Sequence, residues 1–255
     1  MGLSKKKQKK FALTNNDSIK MLHENLEFTA TEQYKIIRAN LDFTLPSDEK
    51  CPIIGVTSST RGEGKSTTSI NLSYVLAERG DRVLLIDGDL RIPSIAKKLK
   101  MDSSPGLTDL LKSKGAQMSD FRSNILSNWY ILPSGVIPPN PSELLGSKIM
   151  GNVLNKLKEM FDYIIIDLPP VNIVSDAVSV SRLITGMIVI IREEYTEKKE
   201  LDNCFRQLKL SNVNVLGCVI NEAKSEIGSY EKYKKGKYKK YYRYYQNDTG
   251  EAEND

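Results

Sequence analysis

The chain has one histidine and three cysteines in 255 residues, and both scarcities exclude chemistry. Cys51, Cys204 and Cys218 are far apart and odd in number, so neither a disulfide framework nor a cysteine-ligated zinc site is expected, and a reducing compartment fits. His23 precedes the first core pattern and has no cysteine or acidic cluster beside it, which leaves it without a catalytic or metal role. No apolar run approaches the roughly 20 residues that span a bilayer. The N-terminus also lacks the apolar segment of a signal peptide. The opening MGLSKK has Lys6 where an N-myristoylation start needs Ser or Thr. A chain that does not itself cross a membrane is expected, and no internal repeat is visible.

Excess charge is lacking as well, except at the ends. Of the net +5, the first ten residues contribute +5 and residues 230 to 255 contribute +2, whereas residues 11 to 229 carry 25 cations against 27 anions. A near-neutral body argues against a nucleic-acid surface and assigns attraction for acidic partners to the termini. The C-terminal stretch YEKYKKGKYKKYYRYY, residues 230 to 245, holds seven tyrosines and seven cations in sixteen positions. Lysines interleaved with rings suit single-stranded nucleic acid. Tyrosine is also a phosphoacceptor, and composition alone leaves both readings open.

What is abundant is β-branched apolar sequence in short runs. IIGVTS (53 to 58), RVLLID (82 to 87), YIIID (163 to 167), GMIVII (186 to 191) and VLGCVI (215 to 220) read as strands buried on both faces of a parallel sheet. KSTTSINLSYVLAERG reads as a helix ended by Gly80, NVLNKLKEMF (152 to 161) as another, and residues 26 to 43 as an amphipathic one. The pattern predicts a doubly wound, mostly parallel α/β domain over 26 to 221. A basic N-terminal segment over 1 to 25 and a tyrosine-rich tail over 222 to 255, without apolar period, complete the chain.

VTSSTRGEGKSTTS lies between the first strand and the first long helix, where a phosphate loop belongs. Gly62 and Gly64 allow a tight turn that presents N–H groups to phosphate oxygens, Lys65 offers a point charge, and Ser66 can ligate Mg²⁺. Ser59 stands at the first glycine of the usual pattern, so the loop is a variant. The run Arg61, Gly62, Glu63, Gly64, Lys65, Ser66 and Thr67 is the expected nucleotide-binding stretch, with Lys65 facing solvent until ATP binds. LLIDGDLR leaves the next strand with Asp87 and Asp89 two residues apart, and YIIIDLPP puts Asp167 at a third strand end. Lysine, hydroxyl and acids together suit a magnesium nucleotide.

SSTRGEGKST, LLIDGDLR, PPNPSELL (138 to 145) and YIIIDLPPV, in this order, resemble the bacterial tyrosine kinases of capsular and exopolysaccharide synthesis. The resemblance implies a P-loop fold with a variant Walker A motif, ATP and Mg²⁺ as cofactors, and ATP-dependent, non-specific protein-tyrosine kinase activity. It casts Lys65, Asp87 and Asp89 as catalytic, with Asp87 as general base, and Ser66, Asp87, Asp89 and Asp167 around the metal. Asn221 matches an asparagine that reads adenine. Glu32, Lys35 and Arg38 fall where the family carries a helix that joins subunits into a ring, although a lysine occupies the middle position. Tyr230, Tyr233, Tyr238, Tyr241, Tyr242, Tyr244 and Tyr245 become phosphoacceptors for a neighbouring copy. Also implied are a separate transmembrane activator, a cognate tyrosine phosphatase, protein substrates of polysaccharide synthesis, and a cytoplasmic place at the inner face of the membrane. The rival is a partitioning or positioning ATPase of the same fold. Such proteins usually carry a signature lysine at the position of Thr60 and have no reason to end in tyrosines.

Overall fold

The computed structural model describes residue 26 and residues 28 to 112, 121, 123 and 125 to 223. The expected basic segment over 1 to 25 lies outside these residues, as do all seven tail tyrosines. The chain through Asn221 forms one unit, and a second begins at Glu222.

Six strands make one parallel sheet: β1 (Ile53–Ser58), β2 (Val83–Asp87), β3 (Trp129–Leu132), β4 (Tyr163–Asp167), β5 (Gly186–Arg192) and β6 (Val215–Asn221), in the order β3-β2-β4-β1-β5-β6. Alternation along each central strand explains why both faces are covered. Ile53, Leu84, Ile86, Ile164, Ile166, Met187 and Val189 point into one core. Ile54, Val56, Val83, Leu85, Ile165, Ile188 and Ile190 point into the other. Each fully buried Ile or Leu contributes roughly 1.5–3 kcal/mol, so continuous apolar strands are stable only with helices on both sides.

The helices are α1 (Phe28–Thr44), α2 (Lys65–Glu78), α3 (Ile95–Lys98), α4 (Leu107–Leu111), α5 (Pro141–Leu145), α6 (Lys148–Lys158), α7 (Asp176–Val180) and α8 (Lys198–Leu210). Helix α2 is buried nearly all round, which accounts for its weak amphipathic pattern. It ends two residues before Gly80, whose φ of +112° suits only glycine at no cost. Five strand expectations hold to within a residue at either end.

The sequence pattern misses β3, because WYIL is only four residues long and has one β-branched member. Strand β3 lies at the sheet edge beside β2. Its Trp129 is fully buried, donates from Nε1 to Ser73 Oγ at 3.1 Å, and meets Tyr74 edge to face at 5.6 Å. The stretch PPNPSELL (138 to 145) contains α5, started by Pro141 in the first turn, where a missing N–H costs nothing. The helix expected over 152 to 161 runs from 148 to 158, because Ser147 accepts Met150 N–H at 3.1 Å and caps it four residues earlier.

Candidate active site

All the strands run parallel, so their carboxyl ends gather at one edge of the sheet, the usual place for ligands in this architecture. Three segments supply the candidate groups there: the turn 59 to 64 between β1 and α2, the segment after β2, and the end of β4.

Glu63 shapes the turn. Its carboxylate is fully buried and accepts from Ser59 Oγ at 2.7 Å, from the Thr60 N–H at 2.8 Å, and from Thr196 Oγ1. Ser59, the departure from the usual glycine, therefore serves as a donor inside the loop. The Glu63 side chain, expected to meet nucleotide, faces the protein instead and leaves only its backbone for a ligand. Arg192 Nη1 donates to the Gly62 carbonyl at 3.2 Å, and Tyr195 Oη donates to that of Arg61 at 3.1 Å, with the Arg192 guanidinium 4.9 Å from the Tyr195 ring centre. With these carbonyls engaged, the loop's N–H groups are its remaining polar face.

Gly64 sits at φ 96° just ahead of α2. A Cβ there would come within 2.0 Å of Asn221 Nδ2, so glycine is required for space as well as conformation. Asn221, expected to read adenine, here donates from Nδ2 to the Glu63 carbonyl at 3.1 Å. It braces the loop from the end of β6.

Lys65 is not solvent-facing. Its Nζ donates to Asp89 Oδ2 at 3.2 Å, and the two side chains are only 13% and 7% exposed. Burial works against its charge, but Asp167 and then Asp89 outweigh that and hold its pKa above the ordinary lysine value. Asp89 lies two residues past the end of β2, and its other oxygen accepts the Ile92 N–H at 3.0 Å.

Asp87 and Asp167 are paired across β2 and β4 and are both fully buried. Asp87 Oδ2 accepts the N–H groups of Ser94 and Ile95, each at 3.0 Å. Asp167 Oδ1 accepts from Ser69 Oγ at 3.3 Å. The remaining oxygens, Asp87 Oδ1 and Asp167 Oδ2, have no partner. Burial first, then the charge of Asp167, pushes the Asp87 carboxyl up to about 8. Burial likewise raises Asp167, against the pull of Lys65 and a hydrogen bond from Ser66.

Two orphaned, buried carboxylate oxygens beside a hydroxyl are a fit for a hard cation. Among the described residues no three His, Cys, Asp or Glu side chains converge as a protein-only cage. Magnesium does not need one, since it is usually held by one or two carboxylates together with substrate phosphates and water. Asp87 and Asp167 carry the free oxygens, with Ser66 alongside. Asp89, also expected at the metal, has both oxygens engaged, chiefly as the counter-ion of Lys65.

These pKa directions set a pH dependence. A carboxyl raised from about 3.8 to about 8 in the fold contributes stability that is full below the unfolded value and is lost as pH rises through the folded one. Without nucleotide or metal, the thermal midpoint of the parent should therefore fall relative to that of Asp87→Asn between pH 5 and pH 9. Parallel melting curves for the two proteins over that range would contradict the assignment.

Several neighbours of the site carry no signal in the sequence pattern. Lys98, at the end of α3, donates to Thr67 Oγ1 at 3.4 Å, and burial lowers its pKa. Thr196, Arg192 and Tyr195 belong to no motif, and Ser69 closes the stretch VTSSTRGEGKSTTS without an expected role; the fold places all four here. The expected ring residues are apart from this site. Lys35 pairs with Glu32 at 2.9 Å within α1, and Arg38 Nη1 donates to the Val75 carbonyl at 2.5 Å, so both cations have partners inside the chain.

The AAA domain profile matches residues 51–210. The tyrosine-protein kinase YwqD of Bacillus subtilis (strain 168) is 35% identical over 220 residues, covering 85% of this chain and 86% of that protein. The chain belongs to the bacterial tyrosine-protein kinases. The crystal structure of the chimerical protein CapA2B2 superposes on this kinase with a TM-score of 0.74 at 31% identity, over 81% of this chain and 90% of that one. The septum site-determining protein MinD of Pyrococcus horikoshii OT3, complexed with Mg-ADP, is more distant, with a TM-score of 0.55 and 28% identity over 69% of this chain and 72% of that one. The kinase shares the P-loop NTPase fold of these proteins. Among the described residues, no helix is long and apolar enough to cross a membrane.

Proposed function

We propose that this kinase transfers the γ-phosphoryl group of ATP to tyrosines 230 to 245 of a neighbouring copy, and that this cycle regulates capsular or exopolysaccharide synthesis and export. The observation that carries the reading is the state of Asp87: buried, fixed by two backbone N–H groups through one oxygen, and unpartnered at the other. A carboxyl whose pKa lies near 8 is suited to accept a proton from an attacking hydroxyl near neutral pH. Lys65 supplies positive charge where negative charge develops on the transferred group, held ready by Asp89. The backbone N–H groups of 61 to 67 bind and orient the phosphates. Bound magnesium would neutralise phosphate charge, held by Asp87, Asp167 and Ser66.

The wider reading rests on the family. The chain is divided into a basic segment (1 to 25), a kinase domain (26 to 221) and an acceptor tail (222 to 255). Copies assemble into a ring to which α1 contributes through Glu32, Lys35 and Arg38, the in-chain partners of the two cations being exchanged or shared there. A separate transmembrane activator brings the kinase to the inner face of the membrane, and a cognate phosphatase reverses the modification. Protein substrates of polysaccharide synthesis are further acceptors.

A second reading, a nucleotide-switched positioning ATPase, is favoured by the likeness to MinD but lacks a lysine at Thr60. Incubation with radiolabelled ATP and Mg²⁺ separates them. The parent should label on tyrosine. A variant with all seven tail tyrosines changed to Phe should lose at least about nine-tenths of that label while still hydrolysing ATP. ATP turnover by the parent without any phosphotyrosine would favour the ATPase.

A further inference from the structure

Arg91 closes the motif LLIDGDLR, yet nothing in the phosphate chemistry above uses it. Its guanidinium forms a two-pronged pair with Asp176, Nε to Oδ2 at 2.9 Å and Nη2 to Oδ1 at 3.0 Å. Asp176 is fully buried at the start of α7, while Arg91 keeps 41% of its side chain exposed. The same Nη2 donates to Ser142 Oγ at 3.3 Å, Ser142 Oγ donates to Asp176 Oδ1, and Ser175 Oγ donates to Ser142 Oγ at 3.2 Å. One buried carboxylate thus ties together the segments that follow β2, β3 and β4. These three strands are neighbours in the sheet, and two of them end in the acids of the active site.

The segment after β3 is held at both ends. Pro133 and Ser134 carbonyls accept from the N–H groups of Leu107 and Thr108, and Gly135 N–H donates to the Ser103 carbonyl at 2.9 Å. A Cβ on Gly106 would lie 2.2 Å from Gly135 N, so the backbones touch. At the far end stands Ser142 in the Arg91 cluster. Between the two anchors Val136 and Ile137 are 56% and 59% exposed, and Ile92 and Ile173, on the segments after β2 and β4, are 53% and 44% exposed. Four apolar side chains are therefore held open to solvent at the acidic end of the sheet. Burying them on an aromatic ring removes apolar surface from water.

We propose that Arg91 is a positioning residue for the phosphoacceptor: through Asp176 and Ser142 it fixes Val136 and Ile137 beside Ile92 and Ile173, as the surface on which a tyrosine from residues 230 to 245 of a second copy docks. The occupant follows from its chemistry: the seven tyrosines of residues 230 to 245 supply the rings that four exposed apolar side chains at the carboxyl ends of the strands can cover, and they are the acceptors of the proposed reaction. This inference rests on the tyrosine-kinase reading above. It adds that Arg91 acts on the acceptor side and does not touch ATP.

The test uses the full chain and a synthetic peptide spanning residues 230 to 245. Arg91→Ala should raise the peptide KM about tenfold and leave the KM for ATP within twofold. Arg91→Lys, which keeps the charge but loses the planar fork, should fall between it and the parent. Ile137→Asp guards against misfolding of the clamp variants, because an exposed position tolerates the change, and it should raise the peptide KM to a similar extent. Fluorescence anisotropy with an all-Phe version of the peptide should show the same loss of binding with no catalysis involved. An unchanged peptide affinity in both Arg91→Ala and Ile137→Asp would overturn the proposal. So would a raised ATP KM in Arg91→Ala with normal peptide binding, which would put the guanidinium on the nucleotide. If the parent fails to phosphorylate the peptide yet binds the all-Phe version through Ile137, the kinase reading fails and the docking surface stands.

Discussion

Lys65→Met should lower tyrosine phosphorylation by at least about 10²-fold while the protein remains folded. The size follows from what Lys65 does in the site. It is the cation whose charge is felt by Asp87, Asp89 and Asp167 together, and it forms an ion pair with Asp89 that is almost shut off from water. Methionine fills similar space without charge, so ATP would meet an acidic cluster with no counter-charge from the loop. Losing one preorganised electrostatic group at a reacting centre typically costs about 10²–10³ in rate. The fold should survive because Asp87 and Asp167, already raised, can take up protons when the lysine charge is gone. Circular dichroism would verify the fold, and phosphotyrosine detection with labelled ATP would give the rate. Labelling at the parent rate by a folded variant would remove Lys65 from the chemistry.

Asp87→Asn should separate chemistry from binding. The Asn carbonyl oxygen can still accept the N–H groups of Ser94 and Ile95, so the segment after β2 keeps its anchor. What disappears is the ability to take a proton from the acceptor hydroxyl. General-base catalysis contributes about 10²–10⁴-fold. Phosphoryl transfer should therefore fall by at least about 10², and ATP affinity in Mg²⁺ should fall by clearly less, since the amide NH₂ also takes the place of one oxygen assigned to the metal; single-turnover rates and equilibrium nucleotide binding read the two apart. If affinity fell in the same proportion as rate, Asp87 would be acting through the metal alone. The adjacent Asp167 serves as an internal comparison, since it shares the orphaned oxygen but receives hydrogen bonds from hydroxyls on α2 instead of backbone N–H groups.

Much of this molecule is legible without coordinates, for physical reasons. Continuous apolar strands such as YIIID declare burial on two faces, and GEGKST after such a strand declares both a turn and a ligand. The resemblance to bacterial tyrosine kinases extends that reading, and similarity to YwqD over 85% of the chain supports it. Strand β3 escaped because it is a four-residue edge strand whose largest member, Trp129, is fixed by a helix 56 positions away. The clamp of Arg91, Ser142 and Asp176 escaped because its members are separated by 51 and 34 residues. Pairings over such distances leave no periodic trace. The partner of Lys65 was invisible for another reason: the ion pair depends on where the backbone turns after β2, and LLIDGDLR does not specify which acid faces the lysine.

The contact between Asn221 and the phosphate loop has a consequence for dividing the chain. Asn221 is the last residue of β6, and it props the Glu63 carbonyl through the space left by the missing side chain of Gly64. Any shortened kinase domain must therefore retain residue 221, because a cut at 220 would remove a wall of the nucleotide loop along with the tail. The same contact makes what position 64 can accept depend on what stands at position 221. A lineage that enlarges residue 64 must first give up the amide at 221, and a lineage that loses that amide no longer has spatial crowding to keep the glycine, only its left-handed backbone.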